Sequence, residues 1–168
     1  MEGLVNWFVE NLQGISGEWV SFIVSLMPIL EVRGGLLAAS LLGVDIFTAI
    51  PLCVLGNIIP IPFILWLITP IFNAMKRTRL FRPLVERLEA RAMGKKDRLE
   101  RGVFWGLLLF VGVPLPGTGA WTGSLIAALM NVPIKKSLPP ILLGVLLATV
   151  IMAFVSYGLL GAIVSLFA

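Results

Sequence analysis

Three stretches without a charged side chain, Ile46 to Asn73, Gly102 to Ile134 and Ser137 to Ala168, constrain this chain more than any other feature. Each exceeds the roughly 20 residues that an α-helix needs to cross a hydrocarbon core. The composition points the same way: 58% of side chains are hydrophobic and 13% charged, with a mean hydropathy of +1.01. An ordinary soluble domain is about 45–50% apolar even with glycine included. The expectation is an all-α integral membrane protein, with no soluble domain fitting beside the spans.

Between Lys76 and Arg101 the chain holds ten Lys/Arg and four acidic residues, which places that segment in the cytoplasm by the positive-inside rule. Pro83, the apolar Leu84, Val85 and Leu88, and Gly94 outline a short amphipathic helix that would rest on anionic headgroups, or a solvated linker. The net charge of +4 is therefore a topology signal, and nucleic acid is not an expected partner. At the start, Leu4, Phe8 and Leu12 at helical spacing suggest an interfacial helix over residues 1–15, or the first turn of a span; no removable signal peptide is read there. One cysteine, Cys53, and no histidine exclude an internal disulfide and make a metal site unexpected. No cofactor is expected, and without a hydrolase triad, P-loop or ligand cluster neither is an enzyme.

Two segments break the apolar pattern: "SLMPILEVRGGLLAASLLG", Ser25 to Gly43, and "LFVGVPLPGTGAWTGSLIAALM", Leu109 to Met130. The arms leading into them, Trp19 to Leu30 and Gly102 to Val113, are 12 residues each, short of the ~17 that a straight crossing needs. Each segment is then either a broken span or a re-entrant hairpin. Hairpins keep Lys135 and Lys136 on the cytoplasmic side and leave Glu2, Glu10, Glu18 and Asp45 outside, so charge counting favours them. The halves also echo each other: Pro51 and Gly56 recur 88 residues later as Pro139 and Gly144. This predicts two inverted repeats, each a re-entrant helical hairpin plus a transmembrane helix, over residues 17–75 and 102–168 and joined by the basic linker 76–101.

Glu31 and Arg33 carry the most chemical information. Either would cost roughly 2.5–3.5 kcal/mol at the centre of a membrane helix, so something must compensate. At a turn ending in Gly34 and Gly35 their side chains can converge. Arg33 would then hold a phosphate or carboxylate, and Glu31 would balance that charge or take up a proton; the alternative is a structural ion pair. In the second interruption Pro114 and Pro116 end the first arm, Gly117 and Gly119 permit the turn, and Thr118 is the expected N-cap of the returning helix. That helix end suits an anion, with Thr118 and Thr122 adding hydroxyls and Trp121 a wall. Small residues that merely permit close helix packing are the competing explanation.

With "PILEVRGG" and "PLPGTGAWTGSLIAAL" on the page, the chain resembles the small multidrug export protein family of prokaryotic membrane proteins, from about Met27 onward. That family is in turn similar to the DedA superfamily. The resemblance implies paired re-entrant hairpins, movement of polyprenyl-phosphate-type lipid carriers with proton coupling, and functional acidic and basic residues at positions matching Glu31 and Arg33. It also implies a second-hairpin arginine, which this chain lacks. The resulting expectation is a multi-pass protein of the prokaryotic inner membrane, a homodimer among membrane lipids, that moves a small anionic or phosphate-bearing substrate by alternating access. A cationic multidrug exporter and a non-transporting membrane scaffold are the alternatives.

Overall fold

A computed structural model of the chain describes residues 16–77, 96–115, 117–130 and 132–159. The expected interfacial helix at 1–15 and amphipathic helix after Pro83 lie outside the described residues, as does Pro116. Regular structure among the described residues is entirely helical: α1 (Gly17–Leu26), α2 (Glu31–Leu41), α3 (Ile46–Ile58), α4 (Pro60–Arg77), α5 (Lys96–Gly112), α6 (Ala120–Leu129), α7 (Ile134–Ala153) and a π-helical turn (Phe154–Leu159).

α1 and α2 form an antiparallel pair. Met27 is extended (φ −76°, ψ 140°), as the clash of Pro28 with its predecessor demands, and this stops α1. The pair closes tightly because small residues line its seam. A β-carbon on Gly17 would come 2.8 Å from Val44 Cγ2, and one on Gly35 would collide with Ser25 Oγ and lie 3.0 Å from Cys53 Sγ. The Ser21 and Ser25 hydroxyls are satisfied along their own helix, donating to Gly17 O (2.7 Å) and Ser21 O (2.8 Å).

The long elements are the run Ile46–Ile68, 23 residues, and Ile134–Gly158, 25 residues, both long and apolar enough to cross a membrane. At 1.5 Å per residue they extend roughly 35 Å, whereas the ten residues of α1 or of α6 extend about 15 Å, half a hydrocarbon core. The apolar segment Ile46 to Asn73, expected to cross the membrane and to be kinked or ended by Pro51, Pro60, Pro62 or Pro70, is divided at Ile59. Pro60 and Pro62 have no N–H for the carbonyls of Gly56 and Ile58, although Ile59 keeps helical dihedrals (φ −52°, ψ −47°). α5 is already helical at Lys96, six residues before the expected start of the second half.

α7 runs antiparallel to α3. The Tyr157 hydroxyl donates to Val44 O (2.9 Å) and the Ser40 hydroxyl to Ser156 O (2.7 Å), so the end of α7 lies beside the start of α3. Several local bonds recur 88 residues apart. Val44 N–H donates to Ala39 O and Val132 N–H to Ala127 O, both at 2.9 Å, just before the starts of α3 and α7. The glycine contacts recur as well: a β-carbon on Gly56 would press on Phe22 O and Ser25 of α1, and one on Gly144 on Leu108 O and Val111 of α5. One apolar core joins Ile61 and Leu65 of α4 to Val111, Ala120, Ile141 and Val145. A second joins Val32 and Leu36 to Ala49, Cys53 and Ala148.

Candidate functional site

The turn between α1 and α2 ends on Glu31, which is held at φ 52°, a left-handed conformation rare outside glycine. Backbone strain of this kind persists only where the surroundings fix it. Here they do. Glu31 is 4% exposed and Arg33 6%, and both side chains cross to the interruption between α5 and α6.

The Glu31 carboxylate accepts two backbone hydrogen bonds, from Ala120 N–H (3.0 Å to Oε2) and Trp121 N–H (2.9 Å to Oε1). These are donors of the first turn of α6, which have no acceptor within the helix itself, and a carboxylate there also meets the positive end of the helix dipole. Gly119, the N-cap residue, makes no side-chain cap bond. It sits at φ 155°, ψ −173°, a region that essentially only glycine enters, and any β-carbon there would collide with the Glu31 carboxylate.

Arg33 does the reverse at the end of α5. Its Nη1 donates to Leu115 O (2.5 Å), and its Nη2 is shared among Val113 O (3.1 Å), Val111 O (3.2 Å) and Thr118 Oγ1 (3.2 Å). A cation is favourable beside the carbonyls at a helix C-terminus; Val111 O is one of these, while Val113 O and Leu115 O lie just past the end of α5 and also accept from Leu115 N–H and Thr118 N–H. The interruption thus exposes one end of each helix to a charge of matching sign. Instead of the structural ion pair that was the alternative to a binding role, Glu31 and Arg33 each bond across to the other pair of helices.

The expected N-cap is corrected. Thr118 does not cap α6; its hydroxyl lies 2.9 Å from Leu115 O and 3.1 Å from Val113 O and accepts from Arg33. The cap comes instead from Glu31, 89 positions earlier. Of the other named positions, Gly34 and Gly35 are buried against Leu30 and against Ser25, Ser21 and Cys53, away from the second interruption. Pro114, Trp121 and Thr122 are half-buried, and Gly117 is exposed at φ 78° with open space where a β-carbon would go. Arg33 Nε and the Trp121 indole N–H are buried and have no hydrogen-bond partner among the described residues. Asn57 Oδ1 and Ser124 Oγ are in the same condition; Ser124 was not anticipated, since a serine in an apolar helix gives no signal of its own.

A family model described as "Putative small multi-drug export protein" matches residues 31–151, from Glu31 through most of α7. No curated protein and no solved structure matches the chain.

Proposed function

We propose that this chain, which belongs to the small multi-drug export family, moves a small substrate bearing a carboxylate or phosphate group across the membrane, and that the group binds where the Glu31 carboxylate now sits. The family description supports export in the coarse sense. The anionic character of the substrate is our reading of the site.

The observation that carries it is a helix end that already holds an anion, together with two unfilled donors on residues of the same site. The N-terminus of α6 holds a carboxylate, the protein's own, while Nε of Arg33 and Nε1 of Trp121, whose other polar groups bond within the site, are buried without a partner among the described residues. Unsatisfied buried donors are costly, and a ligand with several acceptor oxygens would satisfy them. Glu31 would be displaced from the Ala120 and Trp121 N–H groups as the anion arrives. Proton uptake by the displaced Glu31 carboxylate would accompany the anion and so couple the two movements. A polyprenyl-phosphate-type lipid carrier is one substrate of this chemistry.

In the same reading α1–α2 and α5–α6 are re-entrant hairpins entering from opposite faces, with their tips meeting at mid-membrane. The ~15 Å length of α1 and α6 and the bonds recurring 88 residues apart support it. Alternating access would break the Glu31 and Arg33 bonds on one side at a time, in a homodimer of the prokaryotic inner membrane. A second reading, export of cationic drugs, takes its support from the family description and would use Glu31 as the binding carboxylate.

Matched probes separate the two: hexyl phosphate and hexyltrimethylammonium, supplied to proteoliposomes of the purified chain. Saturable uptake of hexyl phosphate that falls at least tenfold in Arg33→Gln supports the anion site. Uptake of the ammonium probe alone, lost in Glu31→Gln and kept in Arg33→Gln, replaces it with the cation reading. Uptake of neither leaves a scaffold.

A further inference from the structure

The two helix pairs differ in one respect that the Glu31 site does not explain. α1 and α2 are sealed by Gly35 against Ser25. α5 instead lies along α7 and α6 along α4, and a half-open cavity of about 190 Å³ remains between α5 and α6. Gly102, Gly106 and Phe110 line one wall, and Ile126, Met130 and Val132 the other. A β-carbon on Gly102 or Gly106 would meet no atom within 4 Å, so the two glycines border open space. An exposed apolar recess of this kind marks a surface that meets lipid or another apolar partner.

Charge follows the lining residues in the chain. Lys135 and Lys136 are exposed on the first turn of α7, three and four residues beyond Val132, which lines the cavity. An apolar slot opening beside basic residues matches an anionic lipid: hydrocarbon inside, phosphate at the lysines.

We propose that the slot between α5 and α6 is a binding site for one acyl chain of an anionic phospholipid whose headgroup is held by Lys135 and Lys136. The lipid fills the wedge that keeps these two helices apart, and it uses neither Glu31 nor Arg33.

The test is native mass spectrometry of the purified full chain, equilibrated in mild detergent with equal amounts of phosphatidylglycerol and phosphatidylcholine of the same acyl composition. The expected result is one retained phosphatidylglycerol, preferred at least tenfold. Gly106→Leu, which adds a side chain bordering the cavity, should cut that retention at least tenfold with unchanged helical circular dichroism. Gly102→Leu should do the same and serves if the first variant does not fold. Lys135→Glu with Lys136→Glu should abolish the preference between the two lipids. Equal retention of both lipids by the unmodified chain overturns the proposal, as does undiminished phosphatidylglycerol retention in a folded glycine variant or in the double lysine variant.

Discussion

The Glu31 carboxylate occupies the space that a β-carbon on Gly119 would need. The two positions lie 88 residues apart, the spacing at which the loop bonds and glycine contacts also recur. One residue is therefore large and charged where its counterpart must have no side chain, and this asymmetry lets a single carboxylate cap the facing helix.

Gly119→Ala should accordingly expel Glu31 from the α6 N-terminus. The added methyl meets the carboxylate and a backbone conformation that alanine resists, so a loss of about 2–4 kcal/mol is expected. Gly117→Ala is the control: it shares the positive φ (78°) but faces open space, and should cost about 1–2 kcal/mol, the backbone term alone. Unfolding of the two variants in the same detergent, followed by circular dichroism, gives the comparison.

Glu31→Ala leaves the N–H groups of Ala120 and Trp121 without their acceptor, at about 1–3 kcal/mol each if they stay buried. Glu31→Gln keeps one carbonyl oxygen as acceptor and should fall between Glu31→Ala and the unmodified chain. Amide hydrogen exchange reports this locally: the Ala120 and Trp121 amides should exchange fastest in Glu31→Ala, while Leu36 and Ala39 in the middle of α2 are unchanged.

Arg33→Lys should not rescue Arg33→Met. The guanidinium fork spans Leu115 O on one nitrogen and the Val111 and Val113 carbonyls on the other, a reach that a single ammonium cannot reproduce. Both variants should unfold at similarly lowered temperatures. A lysine variant as stable as the unmodified chain would show that charge alone suffices there.

The seam of the first pair predicts a paired effect. Gly35→Ala collides with Ser25 Oγ and should destabilise by about 1–3 kcal/mol. Ser25→Ala removes the obstructing oxygen and should restore part of that loss, short of all of it, because Ser21 O would still lie 2.9 Å from the new carbon. A double-variant cycle of thermal unfolding measures the coupling.

The parts of this structure legible in the sequence were those governed by the expense of polarity in an apolar run. Glu31 and Arg33 stood out because a charge in such surroundings needs a partner, and the proline and glycine clusters because they stop helices. Glu31's partners were not legible, since a cap supplied from 89 positions away leaves no local trace, and the local rule pointed to Thr118 instead. The role of Gly35 depends on Ser25 and Cys53 arriving opposite it, and the α5–α6 cavity on α5 choosing α7 as its neighbour; both are tertiary facts. The division at Ile59 was legible in part, since Pro60 and Pro62, which remove two donors in succession, read in the sequence as residues that kink or terminate their helix.

The account rests on two helix pairs that enter from opposite faces and meet at Glu31. Single cysteines at Asp45 and Lys136, in a Cys53→Ala background and probed in intact cells with a membrane-impermeant maleimide, test it most directly. Labelling at position 45 from outside, with position 136 protected until the membrane is permeabilised, is the predicted result. Labelling of both positions from outside would make the interrupted segments broken spans and would contradict the account.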